Sequence, residues 1–411
     1  MALQQGPLAG VRVLEIGSSV AGPFCGRLLA DFGAEVIKVE APDGDPVRTM
    51  GKRANGRSLY AASIFRNKRL AVIDLRQASG RGLVRQLAAE CDILLENFRP
   101  GTLEKWGMGY DVLQADNPRL ILVRISGFGQ SGPYKDRAGY GVIGEAMSGL
   151  RHLTGDPDRP PGRINTSLTD EVTGLYAAFG AVLAIVARHS TGRGQCIDAA
   201  LYESAFSLIE PHIPAFAALG LVAQRAGSRL PDSTPNNLYA TSDGRHIHIT
   251  AMANSVFARL AAVMGRPELA QDPRYSTALA RSANEEELDR LIGDWAGSHK
   301  LTELEAMLNA GAVPASRIYD VADIFADPHY QAREMLVELP DAELGTATVA
   351  GVVPKLSGTP GRIRHLGRQR GQDTAAVLRD VLRFDDKRIR ALEAEGTICC
   401  ARGERAEAGA V

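Results

Sequence analysis

The chain has 411 residues, past the ~250 to 300 at which a single hydrophobic core stops growing, so two domains are expected. A composition of 45% hydrophobic and 23% charged residues excludes collagen-like or disordered bulk. The 47 Lys plus Arg nearly cancel the 48 Asp plus Glu; no net field draws nucleic acid or an anionic membrane, and the expected partners are small molecules attracted locally.

The opening reads as strand, helix, strand: "VRVLEI" (11–16) alternates, "PFCGRLLADFG" has helical spacing with Gly33 as its stop, and "AEVIKVE" (34–40) is a second strand. "LAVIDL" (70–75), a helix over 79–90, "DILLENF" (92–98) and "RLILVRISGFG" (119–129) continue the alternation, which favours a parallel sheet covered by helices. A helix is expected from about Asp170 to Ser190, with Gly192 as a left-handed cap and Arg188 and His189 at its negative end. Its uncharged run, Val172 to Ala187, is short of the ~20 residues a bilayer needs, contains Thr173, Gly174 and Gly180, and reads as a buried core helix. These elements make residues 1–222 a large α/β domain.

Residues 223–238, polar and rich in Gly, Pro and Asn, read as a linker. A smaller α+β domain follows over 239–325, with strands in "RHIHITAM" and "VPASRIY" and helices near 254–264, 285–296 and 302–309. Strand and loop form a return linker over 326–370, two helices close the chain within 371–398, and 399–411 is expected to be a flexible tail. Five cysteines, odd in number and without CxxC spacing, read as reduced thiols of a cytoplasmic protein. The start "MALQQGPLAG" lacks the pattern of a secretory signal.

"GFGQSG" (127–132) satisfies GxGxxG after a strand, but the dinucleotide fingerprint needs a helix to begin at once, and Pro133, Tyr134 and Lys135 continue a loop. His246 and His248 share a strand face without a third ligand at metal spacing, and the Cys399–Cys400 pair makes no zinc site alone. Neither G-x-S-x-G nor a P-loop occurs. Lys38, Arg76, Arg99, Lys105 and Arg137 sit at or just after strand ends. Each reads singly as a solvated charge; together they would rim a site for a phosphate-bearing ligand. Asp170 has two readings. Ser167, Thr169 and Asp170 make a capping-box-like start to the apolar helix, while a carboxylate there can also act as a covalent nucleophile.

Long motifs in one order decide between them: "PLAGVRVLEIGSSVAGPFCGRLLADFGAEVIKVEAPDGDPVR", "NKRLAVIDL", "ENFRPGTLEKWGMGYDVL", "ISGFGQSGPYKDRAGY", "TGRGQCIDAALYES" and "DPRYST". Over nearly its whole length the chain resembles the family III CoA-transferases, the group that includes formyl-CoA and carnitine CoA-transferases and α-methylacyl-CoA racemase. The resemblance implies a Rossmann-like large domain with a parallel sheet, a smaller α+β domain and ring-like chains interlocked as a homodimer. It implies Asp170 as the catalytic carboxylate, with Thr169 in place of the usual glycine. Coenzyme A contacts carry over to Val20, Ala21, Asp74, Leu75, Arg76, Asn97, Phe98, Arg99, Lys105, Arg137 and Tyr140. Acyl-CoA is then a substrate, with no permanently bound cofactor and no metal, nucleic-acid or membrane partner. The glycine-rich lid of the formyl-CoA enzyme is not evident; "RAGSRLPDSTP" stands in that region. The family's racemases carry a second base, a His, where this chain has Tyr140, and tyrosine is a poor base near neutral pH. "GEAMSGLRHLTGDPDRPPGR" is most similar to succinyl-CoA-dependent members acting on dicarboxylates. Racemisation or CoA binding without catalysis are the alternatives.

Overall fold

The computed structural model describes residues 6–401. It divides into two compact units, Met1–Leu150 with Ile164–Ala218 and Ala332–Val411, and Arg151–Arg163 with Leu219–Gln331.

The first unit holds strands β1 (Arg12–Glu15), β2 (Glu35–Glu40), β3 (Arg53–Ala54), β4 (Arg57–Ser58), β5 (Lys68–Ile73), β6 (Ile93–Glu96), β7 (Ile121–Ser126) and β8 (Cys196–Ala200). Its helices include α1 (Ala21–Asp31), α2 (Leu59–Ile64), α3 (Ala78–Ala89), α4 (Thr102–Lys105), α5 (Tyr110–Asp116), α6 (Gly141–Met147) and α7 (Leu168–Thr191). The chain builds outward from β1 through β2 to β5, returns to lay β6 beside β1, and continues through β7 to β8, all in parallel. That is the Rossmann order, and it opens a crevice beyond the carboxyl ends of β1 and β6, where the direction of building reverses.

Alternation along the strands feeds two cores. Leu14, Ile37, Leu94 and Leu122 face a layer containing Leu83, Val84 and Leu87 of α3 and Val377 and Leu378 of the helix Thr374–Leu382. Val13, Val36, Ile93 and Val123 face α1 and α7. Gly174 lets α7 lie directly on α1: a Cβ there would stand 2.7 Å from the Ala21 carbonyl oxygen.

Two expectations need correction. The apolar run of α7 is only partly buried: 33% of its most apolar window is covered, and Leu175, Phe179 and Val186 are 55%, 59% and 61% exposed. Its small residues, Gly174, Ala177, Ala178, Ala181 and Ala184, recur at helical spacing and pack on the sheet side, while the large ones fall on another face. A run apolar all round does not say which face has a partner. By length and composition alone it is also the one helix among the described residues able to cross a membrane. Second, Ile398–Cys399 forms a short strand antiparallel to β5, so pairing persists into the expected tail; the rest of that tail, 402–411, lies outside the described residues.

The second unit has a three-stranded antiparallel sheet, ordered β11 (Ala315–Arg317), β10 (His246–Thr250), β9 (Asn236–Ala240). Helices Asn254–Val263, Glu285–Gly297 and Leu301–Ala310 supply Phe257, Leu260, Leu288, Ile292, Leu304 and Leu308 to its core. The expected linker 223–238 is anchored within this unit. Arg225 donates to the His152 and Asp156 carbonyls at 3.1 Å each, and the Asp289 carboxylate accepts from Arg229, Asn237 and Tyr239 at 2.6 to 2.8 Å. His248 bonds to Asn236 at 2.7 Å, and no cluster of three or more metal-ligating side chains occurs among the described residues.

Candidate active site at the sheet switch point

The crevice begins with the loop after β1. Gly17, Ser18 and Ser19 turn the chain into α1, with Ser19 at φ 65°, a region that non-glycine residues rarely occupy. The residue after β6 grips this loop: the Asn97 side chain accepts from Ser18 N–H at 2.7 Å and donates to Ser18 C=O at 2.8 Å. A side chain at residue 17 would collide with it, since a Cβ there would stand 2.9 Å from Asn97 Oδ1.

Two cavities flank this loop and share Ser18 and Phe98. The first, about 250 Å³, has an apolar interior of Ile16, Val39, Ile73, Leu75, Phe98 and Trp106, rimmed by Asp45, Asp74 and Arg76. Phe98 and Trp106 meet edge to face at 5.1 Å between centroids. The second, about 230 Å³, is lined by Val20 and Ala21 at the start of α1, by Asn97, Phe98 and Arg99 after β6, and by Arg137, Gly139 and Tyr140. Asp170 joins them from the first turn of α7.

The residues 127–140 after β7 are turns and irregular backbone, and no helix begins at Gly132. Glycines bring this segment together: Gly127 and Gly139 lie so close that a Cβ at 127 would stand 2.8 Å from the Gly139 Cα. Where the segment ends, at Gly141, the Asp170 carboxylate lies against the backbone; a Cβ at 141 would come 2.0 Å from Asp170 Oδ2. Ser167 is the N-cap residue of α7, and its side chain makes no capping bond. Asp170, third in the helix, is half-buried in a position where the helix dipole favours a negative charge. Around it, burial together with Glu171 and Asp170 pushes the Tyr60 phenol up to about 12. Burial also raises the Glu171 carboxyl, against the charge of Arg27.

The positions expected from the sequence thus separate in space. Asp74, Leu75 and Arg76 line the first cavity; Val20, Ala21, Asn97, Phe98, Arg99, Arg137, Tyr140 and Asp170 line the second, with Phe98 in both. Lys105, at the end of α4, lines neither. The cations differ in freedom. Arg76 is bound to Asp74 at 2.7 Å. Arg99 and Arg137 are exposed at the second cavity and form no ion pair among the described residues, while the Arg137 guanidinium stacks on Tyr134 at 3.5 Å. Lys38 is not a solvated rim charge: it is 1% exposed, 2.9 Å from Asp45 and 3.6 Å from Glu15. Lys38 lies inside β2 with its ammonium under the loop, and the position of a lysine in a strand does not reveal that burial. Sequence reasoning also missed Gly139, Gly141 and Tyr60, whose importance comes from contacts across long separations.

Comparison with known proteins shows the family of the chain. Residues 8–374 match the model of CoA-transferase family III. Over 394 residues the chain is 46% identical to the succinyl-CoA–D-citramalate CoA-transferase of Chloroflexus aurantiacus, covering 95% of this chain and 98% of that protein. It is 43% identical over 397 residues to the beta subunit of the succinyl-CoA–L-malate CoA-transferase of the same organism, covering 95% and 98%. Among solved structures, a CAIB/BAIF family protein from Brucella suis superposes with a TM-score of 0.81 at 36% identity, covering 92% of this chain and all of that one. The chain belongs to CoA-transferase family III.

Proposed function

We propose that this enzyme moves CoA from succinyl-CoA to a dicarboxylic acid through covalent intermediates on Asp170. The observation that carries the reading is the carboxylate itself. Asp170 stands in the cavity at the switch point, beside two arginines that form no ion pair among the described residues, and an aromatic-lined cavity adjoins it. The adenine occupies the aromatic cavity, the phosphates pass Arg99 and Arg137, and the thioester reaches Asp170. The named relatives, which use D-citramalate and L-malate, support a dicarboxylate acceptor.

An Asp170 oxygen attacks the donor thioester carbonyl; the C–S bond breaks, leaving a mixed anhydride and CoA thiolate. The thiolate attacks the aspartyl carbonyl, the donor acid departs as its carboxylate, and an aspartyl-CoA thioester remains. The acceptor carboxylate attacks this thioester, expelling the thiolate and forming a second anhydride. The thiolate then takes the acceptor's acyl carbon, and the Asp170 carboxylate is restored. Covalent catalysis divides a difficult exchange into easier ones, and water must be kept from the anhydrides. The N–H groups of Ala21 and Gly22, at the uncapped start of α1, are suited to stabilise the oxyanions.

Asp170→Asn keeps the side-chain volume and removes the nucleophile, so transfer should be abolished with folding intact. Hydroxylamine added during turnover should leave a hydroxamate on residue 170, read by mass spectrometry. Full turnover by the Asn variant would refute the mechanism. No histidine lines the cavity with Asp170, which disfavours racemisation; deuterium entering the α-carbon of an acyl-CoA without an acceptor acid would reverse that judgement.

The family resemblance and the exposed apolar face of α7 together support an interlocked homodimer, because monomers rarely leave a large contiguous apolar patch in water. The named relatives' metabolic activities support a cytoplasmic location, with CoA as a substrate rather than a resident group.

A further inference from the structure

Beneath the loop Gly17–Ser19 lie four charged side chains that the transfer chemistry does not use. Glu15, Lys38, Asp45 and Lys68 are all within 5% of complete burial. Lys68 donates to Glu15 and to the Pro23 carbonyl at 2.7 Å each. Lys38 pairs with Asp45 at 2.9 Å and donates to the Gly17 carbonyl. Asp45 Oδ1 in turn accepts from Ser19 N–H at 3.0 Å and Val47 N–H at 2.9 Å. Burying such an array is costly, and well-packed apolar residues often serve stability as well. Stability alone therefore gives no reason for it.

The arrangement has a consistent output. Lys38 holds Gly17 C=O, Asn97 holds Ser18 N–H and C=O, and Asp45 holds Ser19 N–H. The backbone at the strained Ser19 is thereby determined from below, and it leads straight into Val20 and Ala21 beside Asp170. The other end of the same array faces the aromatic cavity, whose walls include Lys38, Glu40, Asp45 and Pro46.

We propose that Lys38 and Asp45 are positioning residues that couple occupation of the aromatic cavity to the setting of the Gly17–Ala21 loop beside Asp170. This rests on the functional reading above, in which that cavity takes the nucleotide end of CoA. Binding energy gained far from the thioester is then realised at the reacting carbon, where it raises kcat and not affinity alone.

The test compares succinyl-CoA with succinyl-pantetheine, which lacks the nucleotide. In the wild type, kcat should be about 100-fold higher with the full substrate, the scale set by an ångström-sized misplacement of reacting groups. In Asp45→Asn and Lys38→Met the kcat ratio between the two substrates should fall towards one. Folded variants that lower both rates equally and keep the wild-type ratio would assign the array a structural role only and overturn the proposal. If the variants fail to fold, the wild type still decides: equal kcat for both substrates, with only KM differing, overturns it. The hydroxamate at residue 170 separates the two readings. Its presence with equal kcat sinks the coupling alone, and its absence with either substrate sinks the covalent mechanism.

Discussion

Gly141→Ala separates the needs of folding from those of catalysis. The new Cβ would stand 2.0 Å from Asp170 Oδ2, about 1.4 Å short of the 3.4 Å at which ordinary contact begins. Residue 141 opens helix α6 with a φ outside the left-handed region, so alanine suits the backbone and contributes up to about 1 kcal/mol of helix propensity. The carboxylate relieves the clash cheaply by swinging about its own side-chain bonds, so Tm should change little. The reaction does not tolerate that movement. A nucleophile displaced by an ångström loses about 10²-fold in rate, or about 2.7 kcal/mol in barrier height. The assay is chromatographic separation of CoA thioesters after incubation with succinyl-CoA and a panel of dicarboxylic acids, with thermal unfolding in parallel. Gly82→Ala is the matched control. It is exposed on α3 with no atom within 4 Å of its Cβ position, so Tm should rise and kcat should stay the same. A folded Gly141→Ala enzyme with kcat within about threefold of wild type would refute the reasoning, because so small a change excludes loss of an interaction with the transition state.

Burial pushes the Asp45 carboxyl up, but Lys38 and the Val47 and Ser19 amides outweigh it and hold the carboxyl below its ordinary range. Its contribution is therefore present above the ordinary carboxylate pKa and lost as pH falls through the lower folded value; Asp45→Asn should flatten the acid limb of urea stability against pH, and an unchanged slope would reject this. Cys25 and Cys91 are buried and burial raises both thiols, that of Cys91 to about 12, whereas Cys196 and Cys399 are exposed. In a thiol titration, Cys25 and Cys91 should react only after denaturation; native labelling of Cys25 at the rate of Cys399 would contradict the fold. Phe179→Asp on the apolar face of α7 should convert a dimer to monomers by light scattering, and a monomeric wild type at assay concentration would remove the basis for the dimer.

Local pattern made much of this protein legible. Alternation in "VRVLEI", "AEVIKVE" and "RLILVRIS" determined the strands, because a half-covered strand must alternate its faces and a fully covered one must be apolar throughout. Gly192 marked the end of α7, where the structure has it at φ 69° with its N–H bonded to Arg188 C=O. Motif order placed Asp170 among residues that the fold brings to one cavity, since family motifs record a shared arrangement that propensity alone does not. Other features depended on the chain meeting itself. The return of β6 to β1 brought Asn97 to Ser18 across 79 positions. The same fold buried Lys38 between Asp45 and Glu15 and laid Asp170 against Gly141. It also left one face of α7 bare. A sequence determines which faces are apolar and which residues carry charge; the tertiary structure decides what those faces and charges meet, because the deciding contacts join segments whose own local preferences are the same whether or not they touch.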